Sequence, residues 1–179
     1  MRVTKWGEYG ILCCLHLARQ QLGELSAGSA SLIPNNAPIG ALEISKAHGI
    51  PLQYAQQILH RLRKGGIIKS VRGPRGGFKL VRSPATTNLK DVLYAAEGHT
   101  FHLICDDNPI HDNCSQAAKD CGLRWVWNDL KTAVDGLLES RSLLDLIERE
   151  RVSGKPGIFG KNLETLLDAE PLVAGPRQR

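Results

Sequence analysis

No acidic residue occurs between Glu43 and Asp91. The same window holds Lys46, Arg61, Arg63, Lys64, Lys69, Arg72, Arg75, Lys79, Arg82 and Lys90, a local net charge of +10 in a chain of 179 residues whose overall charge is +5. The remainder is therefore net acidic. A merely solvated surface mixes its signs, so a segment this long without a carboxylate predicts a face for a polyanion. Long apolar runs are also missing, and none approaches the length that spans a bilayer. Met1–Arg19 does not read as a signal peptide: Trp6, Glu8, Cys13, Cys14 and His16 interrupt it and no small-residue cleavage site follows. These absences predict a cytoplasmic protein with no membrane partner. The cysteines number five, an odd count with no CxxC pair among them. That argues against a complete disulfide framework and, in a reducing cytosol, for thiols that bind metal or sense redox state. Nothing has the pattern of a nucleophile–base pair or a phosphate loop, since "GPRGGF" lacks a GK[ST] ending. An enzyme is not expected.

What is present is ordinary globular material, 42% hydrophobic and 23% charged. Its length suits one domain, or a small domain with an appended helical part. Thr4–Gln21 reads as a helix, with Tyr9, Leu12, Leu15, His16 and Leu22 recurring at helical spacing. Gly23–Pro38 has loop composition. Ile39–Ala47 reads as a short helix, and His48-Gly49-Ile50-Pro51 as the turn that ends it. The next helix runs to about Lys64, with Leu52, Ala55, Leu59 and Leu62 as its buried stripe. Gly65-Gly66 ends it. Strands are expected at Ile67–Arg72 and Phe78–Arg82, joined by the turn Gly73–Gly77. Asn88 is a candidate N-cap for a helix over Leu89–Glu97. A stripe of Leu123, Trp127, Leu130, Val134 and Leu137 then marks a long helix, extending through Leu144 and Ile147. Such a helix suits antiparallel pairing with a second subunit. Gly154–Arg179 shows little periodicity and reads as a loose tail, with a short helical turn at Asn162–Leu167.

Helix, tight turn, helix and Gly-rich basic hairpin is the order of a winged helix-turn-helix. Amide side chains on the second helix can pair with adenine edges in the major groove, which points to Gln53, Gln56 and Gln57. Tyr54 can touch a base or a phosphate. Arg61, Arg63 and Lys64 lie further along, placed for backbone phosphates. Arg72 and Arg75 on the hairpin can enter a narrow minor groove, where the negative potential is high.

The segment "ISKAHGIPLQYAQQILHRLRKGGIIKSVRGPRGGFKL" closely resembles the DNA-binding part of the Rrf-two family of bacterial regulators. "MRVTKWGEYGILCCLHLA", "LKDVLYAAEG", three spaced cysteines and "WVWNDLKTAV" also match that family's layout, so the resemblance covers roughly Met1–Glu150. "VRGPRGGF" is its most specific element. The resemblance implies a homodimeric transcription regulator that binds double-stranded DNA at a palindromic operator. It implies a mainly α fold with a small β-hairpin wing: a DNA-binding domain over 1–88, a cysteine-loop sensor and dimerisation helix over 89–150, and a tail over 151–179. By position it assigns Gln53, Tyr54 and Gln56 to the recognition helix and Arg72 to the minor groove. Some branches sense redox, iron or nitric oxide through a [2Fe-2S] or [4Fe-4S] cluster held by three cysteines, and others work without a cluster.

Cys105, Cys114 and Cys121 supply three ligands, whereas clusters usually take four. Relatives that place a histidine three residues after the last cysteine differ here, where Arg124 stands. In other relatives an acidic residue early in the first helix reaches the cluster of the other subunit. Glu8 occupies that place, and Leu12 stands where one relative adds a histidine. Cys13 and Cys14 lie off the Glu8 face of an α-helix and read as small buried residues. His99, His102 or His111 could instead complete a zinc site, although structural zinc sites usually contain tight CxxC pairs. The expectation is thus a cluster-sensing DNA-binding regulator with Glu8 as the non-cysteine ligand. The alternatives are a cluster-free thiol redox regulator using reversible disulfides and, outside gene regulation, an iron–sulfur protein that binds no DNA.

Overall fold

A computed structural model describes residues 4–23, 37–98 and 121–153. Cys105, Cys114, His99, His102, His111, the greater part of the Gly23–Pro38 stretch and the tail with its expected Asn162–Leu167 turn lie outside the described residues.

Helix α1 spans Lys5–Gln21, and its N-cap Thr4 accepts a hydrogen bond from the Trp6 amide. From Leu12 to Ala18 it is buried on every side, so it is the central rod of the domain. Helix α2 covers Ala41–His48 and stops at Gly49, whose φ of +63° suits a residue without a Cβ. The Ser45 hydroxyl donates to the Ile50 carbonyl at 2.6 Å and locks the tight turn. Helix α3, Leu52–Lys64, then buries Ala55, Ile58, Leu59 and Leu62 completely. Leu52, expected in that stripe, is 37% exposed. The first turn of α3 projects past the core with Pro51 and Gln53, and Ile58 fills the stripe instead.

The wing is an antiparallel pair, β1 Ile68–Val71 and β2 Gly77–Leu80, in the register Ile68↔Leu80, Lys69↔Lys79, Ser70↔Phe78, Val71↔Gly77. Ile39, expected to begin α2, instead bridges β2: its amide donates to the Phe78 carbonyl at 3.1 Å and its carbonyl accepts from the Phe78 amide at 2.8 Å. A β-branched residue followed by Gly40 favours this extended start, and the helix begins two residues later. The bridge runs so close to the wing that a Cβ on Gly77 would sit 2.4 Å from the Ile39 carbonyl oxygen.

Helix α4, Leu89–Glu97, is capped by the Asn88 side chain, which accepts from the Asp91 amide at 2.8 Å. It crosses α1 at close range, because a Cβ on Gly10 would meet that of Ala96 at 2.6 Å. Helix α5 spans Gly122–Glu139 and α6 spans Leu143–Ser153. The expected single helix through Leu144 and Ile147 is therefore two. Ser142 and Asp145 form a reciprocal cap, Ser142 N–H to Asp145 Oδ2 at 2.8 Å and Asp145 N–H to Ser142 Oγ at 3.1 Å, which starts a new helix. Backbone bonds from Leu89 to Arg141 and from Leu143 to Thr87 hold the break against the start of α4. Leu143 and Ile147 then enter the same buried cluster as α1, α3 and α4. Tyr94 of α4 donates to the carboxylate of buried Asp135, which also accepts from Lys131 one turn earlier on α5, and so ties the second half of α5 to α4. The first half carries its apolar residues outward: Leu123, Trp125 and Val126 are more than half exposed.

Candidate nucleic-acid interface and thiol site

With Ala55, Ile58, Leu59 and Leu62 turned into the core, the 3.6-residue period puts Gln53, Gln56, Gln57 and His60 on the outward face of α3. All four are exposed, and with Arg61 they line a shallow depression of about 440 Å³. His60 was missed in the sequence reading. Its place one turn beyond Gln56 and two beyond Gln53 is the signal that finds it. Arg63 and Lys64 are exposed at the end of the helix, and Arg72 and Arg75 are exposed at the wing turn.

Two of the expected DNA-facing residues, half-buried Tyr54 and exposed Arg61, also contact α1. The Tyr54 ring is half-buried, 4.4 Å from the ring of Trp6 and 5.8 Å from that of Tyr9 in an edge-on contact. The Arg61 guanidinium lies 4.2 Å over the Trp6 ring and donates to the Ala96 carbonyl at 3.0 Å. Trp6 thus joins α3 to the N-terminal turn of α1. That turn is also gripped from α4, since the amide and hydroxyl of Thr4 both donate to Glu97.

Glu8 is exposed in the first turn of α1. At 100° per residue it lies nearly opposite Trp6, so it faces away from α3 while sharing its turn with the residue that holds α3. Cys121 is exposed and occupies the N-cap of α5 without forming a side-chain cap bond. Its sulfur is open to solvent and so can be reached by a metal or a second thiol. Cys13 and Cys14 differ completely. Both are wholly buried; burial pushes the Cys13 thiol up to about 12 against a weaker opposing backbone hydrogen bond, and burial with the neighbouring Cys13 raises Cys14 well above its ordinary value. Neither is available as a thiolate ligand in this fold. Among the described residues no three His, Cys, Asp or Glu side chains converge on a metal-sized site.

A family model described as Rrf2, iron-dependent transcriptional regulator, matches residues 3–149. The chain is 30% identical over 152 residues to the HTH-type transcriptional regulator IscR of Photorhabdus laumondii, covering 85% of this chain and 82% of that one. Its fold is similar to that of T. potens IscR, with a TM-score of 0.61, 25% identity and coverage of 87% of this chain and 92% of the other. It is also similar to CymR, the global cysteine regulator of B. subtilis, with a TM-score of 0.61, 21% identity and coverage of 83% and 98%, a likeness of fold alone.

Proposed function

The chain belongs to the Rrf2 family of transcriptional regulators, and from that premise we propose that it binds a palindromic operator as a homodimer and senses redox, iron or nitric oxide status through an iron–sulfur cluster. The observation that carries the DNA-binding half is the outward face of α3. Gln53, Gln56 and Gln57 stand exposed there, in a segment without a single carboxylate from residue 44 to residue 90. Those amides read adenine edges in the major groove. Arg63 and Lys64 hold phosphates. Arg72 enters the minor groove and Arg75 flanks it. Tyr54 and Arg61 contribute mainly by setting the angle of α3 through Trp6, with one face of the guanidinium left toward the duplex.

In the sensing half, Cys105, Cys114 and Cys121 hold the cluster and Glu8 of the partner subunit is the fourth ligand. The exposure of Cys121 at a helix N-terminus and of Glu8 on the free side of α1 supports that assignment. A cluster bound there supplies an iron centre whose redox state and ligands can change. The chain's own residues carry the consequence. Movement of Glu8 moves the first turn of α1. That turn is held by Glu97 at the end of α4 and stacked through Trp6 on Tyr54 and Arg61, so it shifts α3 with it. Such coupling is a difference in free energy between DNA-bound states.

Anaerobic purification with iron and sulfide counts and absorbance spectra tests the cluster, in the wild type and in Cys105→Ala, Cys114→Ala, Cys121→Ala and Glu8→Ala. Loss of the spectrum is expected in each cysteine variant, and an altered one in Glu8→Ala. A protein that stays colourless after reconstitution sinks the cluster. An unchanged Glu8→Ala spectrum removes Glu8 as ligand. Equal operator affinity of apo and loaded protein at matched salt removes the coupling. The exposed Cys121 favours one second reading, a cluster-free thiol sensor working by reversible disulfides among the same cysteines.

A further inference from the structure

The wing pairs two lysines directly across its strands. The register sets Lys69 of β1 opposite Lys79 of β2. Side chains so placed have Cβ atoms roughly 5 Å apart, and like charges at that separation destabilise a sheet. Ile68 and Leu80, the adjacent rung, point into the core, so the lysine rung lies on the outer face of the wing. Among the described residues no carboxylate relieves the repulsion. Neither lysine makes an ion pair among the described residues. The acid-free window surrounds both, and Asp91, the first carboxylate after it, is engaged by Arg82 at 2.5 Å.

We propose that the Lys69–Lys79 rung is a binding site for DNA backbone phosphate, separate from the base-reading face of α3 and from the arginines of the wing turn. This rests on the DNA-binding reading above and adds a contact to it. A local rule broken without compensation among the described residues marks a place for a partner of opposite charge, and a phosphate strand supplies it, releasing condensed counterions as it binds. The position fits. Lys69 lies five residues after Lys64 at the end of α3 and three residues, about 10 Å of strand, before Arg72. The rung therefore fills the interval between the helix that enters the major groove and the turn that reaches the minor groove. Being sequence-independent, it raises affinity for any duplex and positions the wing without selecting bases.

The test uses the full-length protein and a random-sequence 30-base-pair duplex, with binding followed by fluorescence anisotropy across a potassium chloride series. For wild type, log K falls linearly with log salt. Lys69→Gln and Lys79→Gln each lower that slope by about 0.9, and the double variant lowers it by about 1.8. Lys79→Arg keeps the charge and the wild-type slope. An unchanged slope in the double variant, with wild type binding normally, overturns the rung as a phosphate site while leaving the DNA-binding reading intact. A slope that falls equally in Lys79→Arg overturns the electrostatic argument. Failure of wild type to bind the duplex at low salt overturns the DNA-binding reading itself, and the rung with it.

Discussion

His16 and His48 illustrate how a residue's environment sets its chemistry. Their rings meet edge-on, His16 Nδ1 to His48 Nε2 at 3.2 Å, between the buried stretch of α1 and the last turn of α2. Burial, then the neighbouring His16 and Arg19, pull His48 down to about 4, and burial followed by Arg19 lowers His16. The ion pair of Arg19 with Glu150 fixes that cation beside them. The unfolded chain takes up its histidine protons near 6.5, whereas folded His48 waits until about 4. Between those values the unfolded state binds more protons, so stability falls as pH falls from 6.5 toward 4. His48→Gln should flatten this limb. Urea unfolding at pH 7 and pH 4.5 is expected to show the variant losing less stability than wild type over the interval; equal losses would rule the pair out as the cause. At this scale much was legible. Cys13 and Cys14 read as small buried residues and are buried. The Trp6 contacts were not, because ring stacking across helices leaves no periodicity in the sequence.

The wing is held from both sides. Its β2 strand is closed on one side by β1 and on the other by the Ile39 bridge, which approaches over Gly77. Gly77→Val places a branched side chain against fixed backbone and should cost about 1–3 kcal/mol. It should also weaken DNA binding, since Arg72 and the lysine rung move with the strand. Gly40→Ala is the matched control: its Cβ meets nothing within 4 Å and its φ is an ordinary −74°. Chemical denaturation of both variants checks the claim, and a Gly77→Val protein as stable as wild type defeats it. The hairpin, α1, α3 and α4 were legible because glycine turns, caps and apolar spacing are local signals. The Ile39 bridge and the break between α5 and α6 were not. The first depends on a partner strand nearly forty residues away. The second depends on the Ser142–Asp145 cap overriding an apolar spacing that continues through it.

For the whole molecule the decisive feature is the outward face of α5. Leu123 is 57% exposed, Leu130 42% and Leu137 58%, with Trp127 beside them, on a helix that Tyr94 and Lys90 of α4 hold through Asp135 and Glu139. An apolar stripe of that length in water favours association. In the homodimer proposed above, Leu130→Glu should turn dimer into monomer in sedimentation velocity runs at micromolar concentration. Operator affinity should fall at least tenfold, because two half-sites bound together gain from effective concentration. A variant that still sediments as a dimer would exclude this face as the interface.

The sequence by itself determined the acid-free basic segment, its helix–turn–helix–wing order and the family, because charge, turn residues and helical period are written along the chain. It also marked Cys13 and Cys14 as small buried residues within an apolar helix, as they are. Tertiary packing alone decided that Trp6 clasps Tyr54 and Arg61, that Ile147 returns to the core while the stripe of α5 stays outside, and that two lysines of the wing face each other. Those outcomes depend on which distant surfaces meet and in what register. That is settled by the burial of the whole core and by no local preference of the residues involved.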